Sequence, residues 1–240
     1  DSLYYRYEDV LNEVGEVVGS KEVDDVNRGW FVGKDISAIW DHEFIGIWQE
    51  DEAEEAAKYG QQPGDAKVRD VNGDYKITQE DKVFLGQETP KFRWSFRNEF
   101  TLFRNWDISL NLYSQMGHKQ STTEYLNFFD NLGDYSNTYK REYWTPENKS
   151  NSYARLKSTR PSNINPKKVI NKGFIRLENI SVSYRVPQQF ARKLMAKEIS
   201  IYGTVRNVAV WAFDKEWDYW DPETKGLLPR TFTFGASITF

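Results

Sequence analysis

The segment RTFTFGASITF (230–240) places apolar and polar side chains on alternate positions throughout its length. One face carries Phe232, Phe234, Ala236, Ile238 and Phe240, and the other carries Thr231, Thr233, Gly235, Ser237 and Thr239. A period of two is that of a β-strand, whereas apolar residues of a helix recur every three to four positions. The segment therefore predicts a strand with one apolar face and one polar, uncharged face.

Four earlier segments show the same alternation: FRWSFRNEFTL (92–102), NWDISLNLYSQM (105–116), FIRLENISVSYRV (174–186) and EISIYGTVRNVAVW (198–211). The first two are about 10 to 12 residues long, the length of a strand that crosses a membrane at a tilt. In the third, the apolar parity changes between Leu177 and Ile180, which predicts a β-bulge near Glu178 and Asn179. With a segment in the amino-terminal third, we count about six strands.

The links between these strands are unequal in length. Residues 103–105 predict a tight hairpin, and 187–197 predict a short helical turn after Pro187. The links 117–172 and 213–229 are long and polar. Short turns that alternate with long loops are typical of an outer-membrane barrel, with the short turns in the periplasm and the long loops outside.

Aromatic residues make up 16% of the chain, yet its mean hydropathy is −0.75. Three architectures fit this combination. A membrane barrel places aromatic girdles at its two interfaces, a carbohydrate-binding sandwich exposes rings as sugar platforms, and an ordinary domain buries them in its core.

Composition excludes several other classes. The net charge of −4 gives no reason to expect nucleic acid as a partner. The absence of cysteine excludes disulfides and thiolate metal sites, and two histidines do not make a multi-histidine zinc site. No apolar run reaches the roughly 20 residues of a membrane helix. No nucleophile motif such as G-x-S-x-G is present, so we expect no enzyme.

The amino-terminal third gives weaker signals. RGWFVG (28–33) and SAIWDHEFIGIW (37–48) have the character of strands or loop-strand segments. EDEAEEAAKYG (50–60) predicts a short exposed helix that ends at Gly60, and QQPGD (61–65) predicts a turn.

The stretch DVNGDYKITQED (70–81) has the ligand spacing of a calcium loop. The predicted ligands are Asp70, Asn72, Asp74, the Lys76 carbonyl, Thr78 and Asp81. The sixth position, usually Gly because it needs a left-handed backbone, is Tyr75. The alternative is a turn held by Asx hydrogen bonds without metal.

The Trp- and Asp-rich stretch AFDKEWDYWDPE (212–223) lies in the last long link. Trp217, Tyr219 and Trp220 are candidates for contact with a substrate or a lid, because exposed rings can stack on sugars. Packing of a long loop upon itself is the simpler interpretation, since buried rings outnumber ligand platforms.

Several of these segments, in this order, resemble the carboxy-terminal part of the SusC/RagA-type TonB-dependent outer-membrane transporters. They are QQPGDAKVRDVNGD (61–74), ITQEDKVFLGQETPKF (77–92), YWTPEN (143–148), GFIRLENISVSYRVP (173–187) and PRTFTFGASITF (229–240). The resemblance covers about residues 28 to 240, and the ordered set is more specific than any one motif.

The resemblance implies an all-β fold: an antiparallel transmembrane β-barrel segment with long extracellular loops, in the outer membrane of a Gram-negative bacterium. It implies uptake of oligosaccharides or peptides, driven by TonB, with a SusD-like surface lipoprotein as a lid. It also makes Phe240 part of a carboxy-terminal barrel assembly signal. The plug and the TonB box of the family are not among these residues, so we expect a portion of a larger barrel.

We therefore divide the chain into three parts. Residues 1–60 are predicted to hold barrel strand and extracellular loop segments, and 61–91 an extracellular loop with the calcium-type motif. Residues 92–240 are predicted to hold the carboxy-terminal barrel strands with the long loops 117–172 and 213–229. A secreted, calcium-stabilised glycan-binding sandwich, or a structural subunit of another outer-membrane assembly, is the alternative function.

Overall fold

The computed structural model describes residues 3–122, 142–217 and 220–240. They form two compact units, one of residues 1–88 and 119–170 and the other of residues 89–118 and 171–240. Among the described residues, no helix is long and apolar enough to span a membrane.

The second unit is built on one antiparallel sheet of five strands. Its strands are β7 (Phe92–Leu102), β8 (Trp106–Met116), β11 (Phe174–Arg185), β12 (Glu198–Ala212) and β13 (Thr231–Thr239). Their order across the sheet is β13-β12-β11-β8-β7. All five strands predicted for this part of the chain are confirmed, and the bounds of β7 are those predicted. The sixth strand of our count does not join this sheet in the described part of the chain.

Both short links of the sheet have the predicted form. Phe103 and Arg104 take positive φ angles of 49° and 66°, which matches the twist of a tight hairpin. After Pro187, helix α2 (Gln188–Ala191) and a 3-10 turn (Arg192–Leu194) connect β11 to β12. Because neighbouring strands are antiparallel, these two links lie at one end of the sheet and both long links at the other.

The predicted bulge is present in β11. The register of β11 against both β8 and β12 shifts between Leu177 and Asn179. Against β8 the extra residue is Glu178, and the side chain of Asn111 donates to its carboxylate at 2.6 Å. Against β12 the extra residue lies in β12, between Arg206 and Ala209. Because of this shift, Ile180, Val182 and Tyr184 lie on the same face of the sheet as Ile175 and Leu177, which precede the bulge.

The sheet consequently has one apolar face, made of rows of side chains that continue from strand to strand. One row is Leu102, Trp106, Tyr184, Ile201 and Ala236, and the next is Phe100, Ile108, Val182, Gly203 and Phe234. Many members of these and the adjacent rows are exposed, for example Phe96 at 53% and Phe234 at 80%.

The first unit is a set of small sheets and one helix. Its strands are β1 (Tyr7–Leu11), β2 (Val17–Glu22), β3 (Ala38–His42), β4 (Phe44–Ile47), β5 (Ala66–Val68), β6 (Lys82–Gln87), β9 (Lys119–Thr122) and β10 (Lys168–Asn171). They pair as β1–β2, β3–β6, β4–β5 and β9–β10. A 3-10 turn (Glu50–Glu52) leads into α1 (Ala53–Lys58), which confirms the short helix predicted before Gly60.

A buried carboxylate organises the core of this unit. Asp65 is fully buried and accepts hydrogen bonds from Arg155 Nε at 2.9 Å, from the backbone N–H of Thr159 at 2.7 Å and from that of Gln62 at 2.9 Å. It thereby ties the turn at 61–65 to a segment 90 residues further along the chain. A carboxylate paired in this way resists separation, because breaking the pair leaves a buried charge without a partner.

Gly64 allows the close approach on which this arrangement depends. Its φ is +90°, and a Cβ at this position would lie 2.4 Å from the Trp144 ring and 2.8 Å from Arg155 Cβ. We expect Gly64→Ala to cost about 1–3 kcal/mol more than backbone strain alone. The measurement is hydrogen exchange of the backbone amides in residues 61–68 and 144–159. Faster exchange in the variant reports a lower free energy of local unfolding.

Gly60→Ala is the matched control, because Gly60 has a similar φ of +67° and no atom within 4 Å of its added Cβ. Equal effects of the two substitutions would contradict the packing role of Gly64.

Candidate functional site: the polar face of the sheet and the loop on it

The face of the sheet opposite the apolar rows is polar. Its rows include Glu99, Ser109, Ser181, Thr204 and Thr233, and beside them Arg97, Asn111, Asn179, Arg206 and Thr231. The hydroxyls of Ser181 and Thr204 lie 2.7 Å apart, and Arg97 Nη2 lies 2.6 Å from Glu99 Oε1. This face carries both charges and many hydrogen-bonding groups, so it suits contact with water and polar solutes.

Part of the last long link packs onto this face. Arg176, in β11, is 2% exposed, and its NH2 group donates to Asp221 at 2.5 Å and lies 3.4 Å from Glu223. Tyr113 Oη and Gln115 Nε2, both in β8, donate to Glu223 at 2.5 and 3.0 Å. We call Tyr113, Gln115, Arg176, Asp221 and Glu223 the loop latch.

The loop is shaped to present these two carboxylates. Asp221 Oδ1 accepts from the backbone N–H groups of Glu223 and Thr224, and the backbone N–H of Asp221 donates to the carbonyl of Gly226. These bonds close an Asx turn. The other carboxylate oxygen of Asp221, Oδ2, accepts the hydrogen bond from the guanidinium of Arg176.

Aromatic rings enclose the guanidinium. The centre of the Arg176 guanidinium lies 5.2 Å from the ring of Phe174 and 5.9 Å from that of Tyr113. These two rings meet edge to face at 5.8 Å. The low polarity of this surround strengthens the ion pair and makes loss of either partner costly. Arg176 Nε is buried without a hydrogen-bond partner among the described residues.

A groove of about 420 Å³ adjoins the latch on β7 and β8. Its lining includes Arg93, Ser95, Asn111, Gln115 and Glu178. A basic group, an acidic group and two amides within one groove give donors and acceptors for a polar ligand.

The sequence-based candidates in this loop have different surroundings. Trp217 Nε1 donates to the carbonyl of Asn171 at 2.7 Å, which anchors that ring to the segment that precedes β11. Trp220 is 36% exposed. Tyr219 lies outside the described residues. A role of these rings in substrate or lid contact stays a prediction.

The carboxy-terminal residue Phe240 is 73% exposed and follows the edge strand β13 on its apolar face. Its predicted role in barrel assembly is not tested by this geometry and stays a prediction.

The calcium-type stretch lies in the first unit, and its sixth position has the backbone conformation that the motif needs. Tyr75 takes the left-handed conformation, with φ of +60°, that the sixth position requires. Its backbone N–H donates to Asp70 at 2.9 Å. Its ring packs edge-on against Tyr59 at 5.5 Å and beneath Lys58 Nζ at 4.9 Å. These contacts offset the strain of a non-glycine residue at this angle.

The oxygens of the predicted ligands are engaged in the loop itself. Asp70 accepts from the backbone N–H of Gly73, Asn72 from that of Asp74, and Asp74 from that of Lys76. In the described part of the chain, no three His, Asp or Glu side chains are grouped so that they could hold a metal ion. The metal site therefore stays a prediction.

Asp81 is fully buried and braces the loop. Its carboxylate accepts from the backbone N–H groups of Val71 and Thr78 at 2.9 and 2.7 Å. Burial raises the pKa of Asp81, but the hydrogen bonds from backbone N–H groups outweigh burial, so its pKa lies below the ordinary value. The brace is thus made by the ionised carboxylate and weakens as pH falls through that lowered pKa.

Tyr59 joins the loop to helix α1. Its hydroxyl donates to Asp70 at 3.2 Å. Burial, with the nearby charge of Asp70 as the next cause, raises the pKa of Tyr59 to about 12. The hydroxyl therefore keeps its proton, and its hydrogen bond to Asp70, throughout the physiological range.

Comparison with known proteins finds similar sequences and similar folds. No family model matches the chain. The chain is 26% identical over 247 residues to TonB-dependent receptor P26 of Formosa agariphila, which covers 95% of the chain and 24% of that receptor. It is 23% identical over 227 residues to TonB-dependent receptor P3 of the same organism, covering 87% and 22%.

The chain is similar in sequence to TonB-dependent receptors. Solved structures of the RagAB peptide transporter share its fold, one with a TM-score of 0.60 at 16% identity, covering 91% of this chain and 24% of that one. The RagAB peptide importer in its open-open state gives 0.57 at 15% identity, covering 88% and 23%. The resemblance to SusC/RagA-type transporters and the fold of an antiparallel barrel segment are thereby confirmed.

The chain spans about a quarter of the length of the curated proteins it matches. The loop latch was missed by sequence reasoning. A signal was available in Arg176, which lies on the polar parity of an alternating strand, but its partners are 45 and 47 residues away and carry no motif.

We expect Asp221→Asn to loosen the last long link, because Arg176 then stays buried with only the more distant Glu223, at 3.4 Å, as an opposite charge. Breaking such a pair costs about 3–5 kcal/mol. Hydrogen exchange of backbone amides in 220–226 should therefore accelerate strongly while that of β12 changes little.

Glu99→Gln is the matched control, because it removes one partner of the exposed Arg97–Glu99 pair on the same face. An exposed pair contributes little, so we expect no change in loop exchange. Unaltered exchange in Asp221→Asn would show that the latch does not hold the loop.

Proposed function

We propose that this protein is the carboxy-terminal barrel portion of a TonB-dependent outer-membrane transporter that imports nutrients. One observation carries the proposal: an antiparallel sheet with strands of 9 to 15 residues has one exposed apolar face and one polar, mixed-charge face. Such a sheet divides lipid from a water-filled lumen. The strands that close the barrel lie, on this proposal, outside these 240 residues, since lipid does not tolerate an open sheet edge.

The two faces can be tested with neighbouring substitutions in the middle of β7. Phe96 and Ser95 are consecutive and lie on the apolar and the polar face. We expect Phe96→Arg to cost about 2–4 kcal/mol in membrane assembly and Ser95→Arg to cost little. The measurement is the amount of folded, heat-modifiable barrel in the outer-membrane fraction. Equal assembly of both variants would contradict the assignment of faces.

Substrates of the transporter, on this proposal, are oligosaccharides or peptides. The polar face and the groove on β7 and β8 offer charges of both signs and amide groups, which suit either class. The fold neighbours are structures of a peptide importer, which supports peptides. A SusD-like lipoprotein would cover the outer mouth, and TonB would act through a plug that precedes these strands.

An uptake assay with the complete protein tests the transport proposal and separates the two substrate classes. We expect a deletion strain to lose growth on a peptide mixture or on an oligosaccharide at limiting concentration, and the complete gene to restore it. The matched control is the same protein carrying a disabled TonB box, which assembles but cannot be energised. Equal growth of all strains on both nutrient classes would contradict nutrient import.

We propose in addition that the loop 70–81 binds calcium. Its backbone has the required left-handed turn at Tyr75, and Asp70, Asn72, Asp74 and the Lys76 carbonyl lie on one tight turn. Carboxylates keep spare lone pairs beyond the hydrogen bonds they accept. Ligand roles for Thr78 and Asp81 are less supported, because Asp81 is fully buried and the Thr78 hydroxyl donates to it at 3.3 Å. Extracellular calcium suffices for weak sites of this class.

Calorimetry on the complete protein tests this ion. Asp70→Ala and Asp74→Ala should each abolish one bound calcium, and Glu80→Ala, an exposed position of the same loop outside the ligand set, should retain it. We expect the loop to loosen and the strands to persist. If the wild-type protein binds no ion at millimolar calcium, the loop is a hydrogen-bonded turn without metal.

The alternative of a secreted glycan-binding sandwich requires a second sheet over the apolar face. Phe92, Phe96, Phe100, Phe232 and Phe234 are all exposed on that face. The exposed face and the relatives together favour the barrel.

A further inference from the structure

A short helical segment follows β11 at the end of the sheet that carries both short links. The segment PQQFARKLMAK (187–197) contains Arg192, Lys193 and Lys197 and no acidic residue. It comprises α2, the 3-10 turn Arg192–Leu194 and Met195, whose φ of +56° ends the turn. We call residues 187–197 the rim segment.

The rim segment is fixed on the apolar side of the sheet. Ala191, Ala196 and Ile199 form a buried cluster, and Val186 packs against it. Ile199 and Val186 share the parity of Ile201 and Tyr184, which belong to an apolar row. The short helix therefore folds over the face that meets lipid, and not over the polar face.

Beyond this cluster the rim segment exposes large apolar side chains. Phe190, Leu194 and Met195 are 50%, 65% and 87% exposed. At the other short link of this sheet end, Phe103 is 88% exposed and is followed by Arg104. Exposed apolar groups on a water-facing rim have a cost, whereas at a lipid boundary they are buried.

Basic groups accompany these apolar side chains. Arg192, Lys193 and Lys197 are exposed, and none of them forms an ion pair with a residue of the described ranges. Lys193 Nζ lies 5.6 Å from the Phe190 ring, so a cation sits directly beside an apolar group. Apolar and basic side chains on one short element are the pattern of segments that lie in the headgroup layer of a bilayer.

We propose that the rim segment is a phospholipid-binding anchor, which seats this end of the barrel in the periplasmic leaflet. Phe190, Leu194 and Met195 enter the upper acyl region, and Arg192, Lys193 and Lys197 bind the phosphates of anionic phospholipids. The inference rests on the proposed function, which supplies the membrane. Two observations favour lipid over a protein partner: the segment continues the lipid-facing rows of the sheet, and its charge complements anionic headgroups.

Fluorescence quenching in nanodiscs tests the anchor. The 240 residues contain no cysteine, so Leu194→Cys introduces one label site once any cysteine elsewhere in the complete protein is replaced. An environment-sensitive fluorophore there should show blue-shifted emission and strong quenching by lipids spin-labelled near the headgroup. Leu227→Cys, at a residue that is 80% exposed in the last long link, is the matched control and should show neither effect.

The basic side chains are tested by lipid composition. Quenching at position 194 should be stronger in discs with phosphatidylglycerol than in discs of phosphatidylcholine alone. The charge reversal Arg192→Glu, Lys193→Glu and Lys197→Glu should remove this difference, since each cation near an anionic surface favours binding by about fivefold. Reversal of Glu8, Asp9 and Glu16 to Lys, on the exposed β1–β2 hairpin, is the control that leaves the difference unchanged.

A label at Phe96→Cys separates failure of the anchor from failure of the barrel. If the label at Phe96 is quenched by deep spin labels and that at Leu194 is not quenched at all, the anchor is wrong and the barrel stands. If neither label is quenched, the proposed function itself fails, and the anchor fails with it. If quenching at position 194 is equal in both lipid compositions and is unchanged by the charge reversal, the basic side chains do not bind the headgroups.

Discussion

The hydrogen-bonded backbone of the five-stranded sheet is the constraint on which the rest of the structure depends. A bilayer offers no partner to a free N–H or C=O group, so a chain that crosses it with strands must pair each strand with its neighbours. Once the register of the strands is set, successive side chains alternate between the two faces. A single side chain cannot change face without a shift of the whole strand. The rows that run from Leu102 to Ala236 and from Phe100 to Phe234 are the result of that constraint.

The bulge at Glu178 shows how the sheet keeps one apolar face although the apolar parity of β11 changes. Without an extra residue, either Ile175 and Leu177 or Ile180, Val182 and Tyr184 would face the lumen. Because of the bulge, the consecutive residues Glu178 and Asn179 both lie on the polar face, where Asn111 donates to the Glu178 carboxylate. The same polar side then receives the last long link through Arg176, so loop position follows from strand register.

The sequence predicts the sheet well and the latch not at all, for physical reasons. Alternation is local, so β7 and the bulge can be derived from consecutive residues. The latch depends on pairs between Arg176 and residues 45 and 47 positions away, which only the fold brings together. Tyr75 departs from the usual glycine because the rings and cation of Tyr59 and Lys58 stabilise its backbone, which is again tertiary. The small strands β1, β2, β9 and β10 lack a long alternating run, and so they gave no comparable signal.

The central claim is that β11 separates lipid from lumen and changes parity at Glu178. A spin-label scan of residues 174–185 in the reconstituted complete protein tests this claim most directly, with accessibility to oxygen and to a water-soluble nickel complex measured at each position. The account predicts alternation with oxygen maxima at Ile175, Leu177, Ile180, Val182 and Tyr184, and therefore a phase change at Glu178. An unbroken alternation through Glu178, or equal accessibility of both faces to the nickel complex, would contradict it.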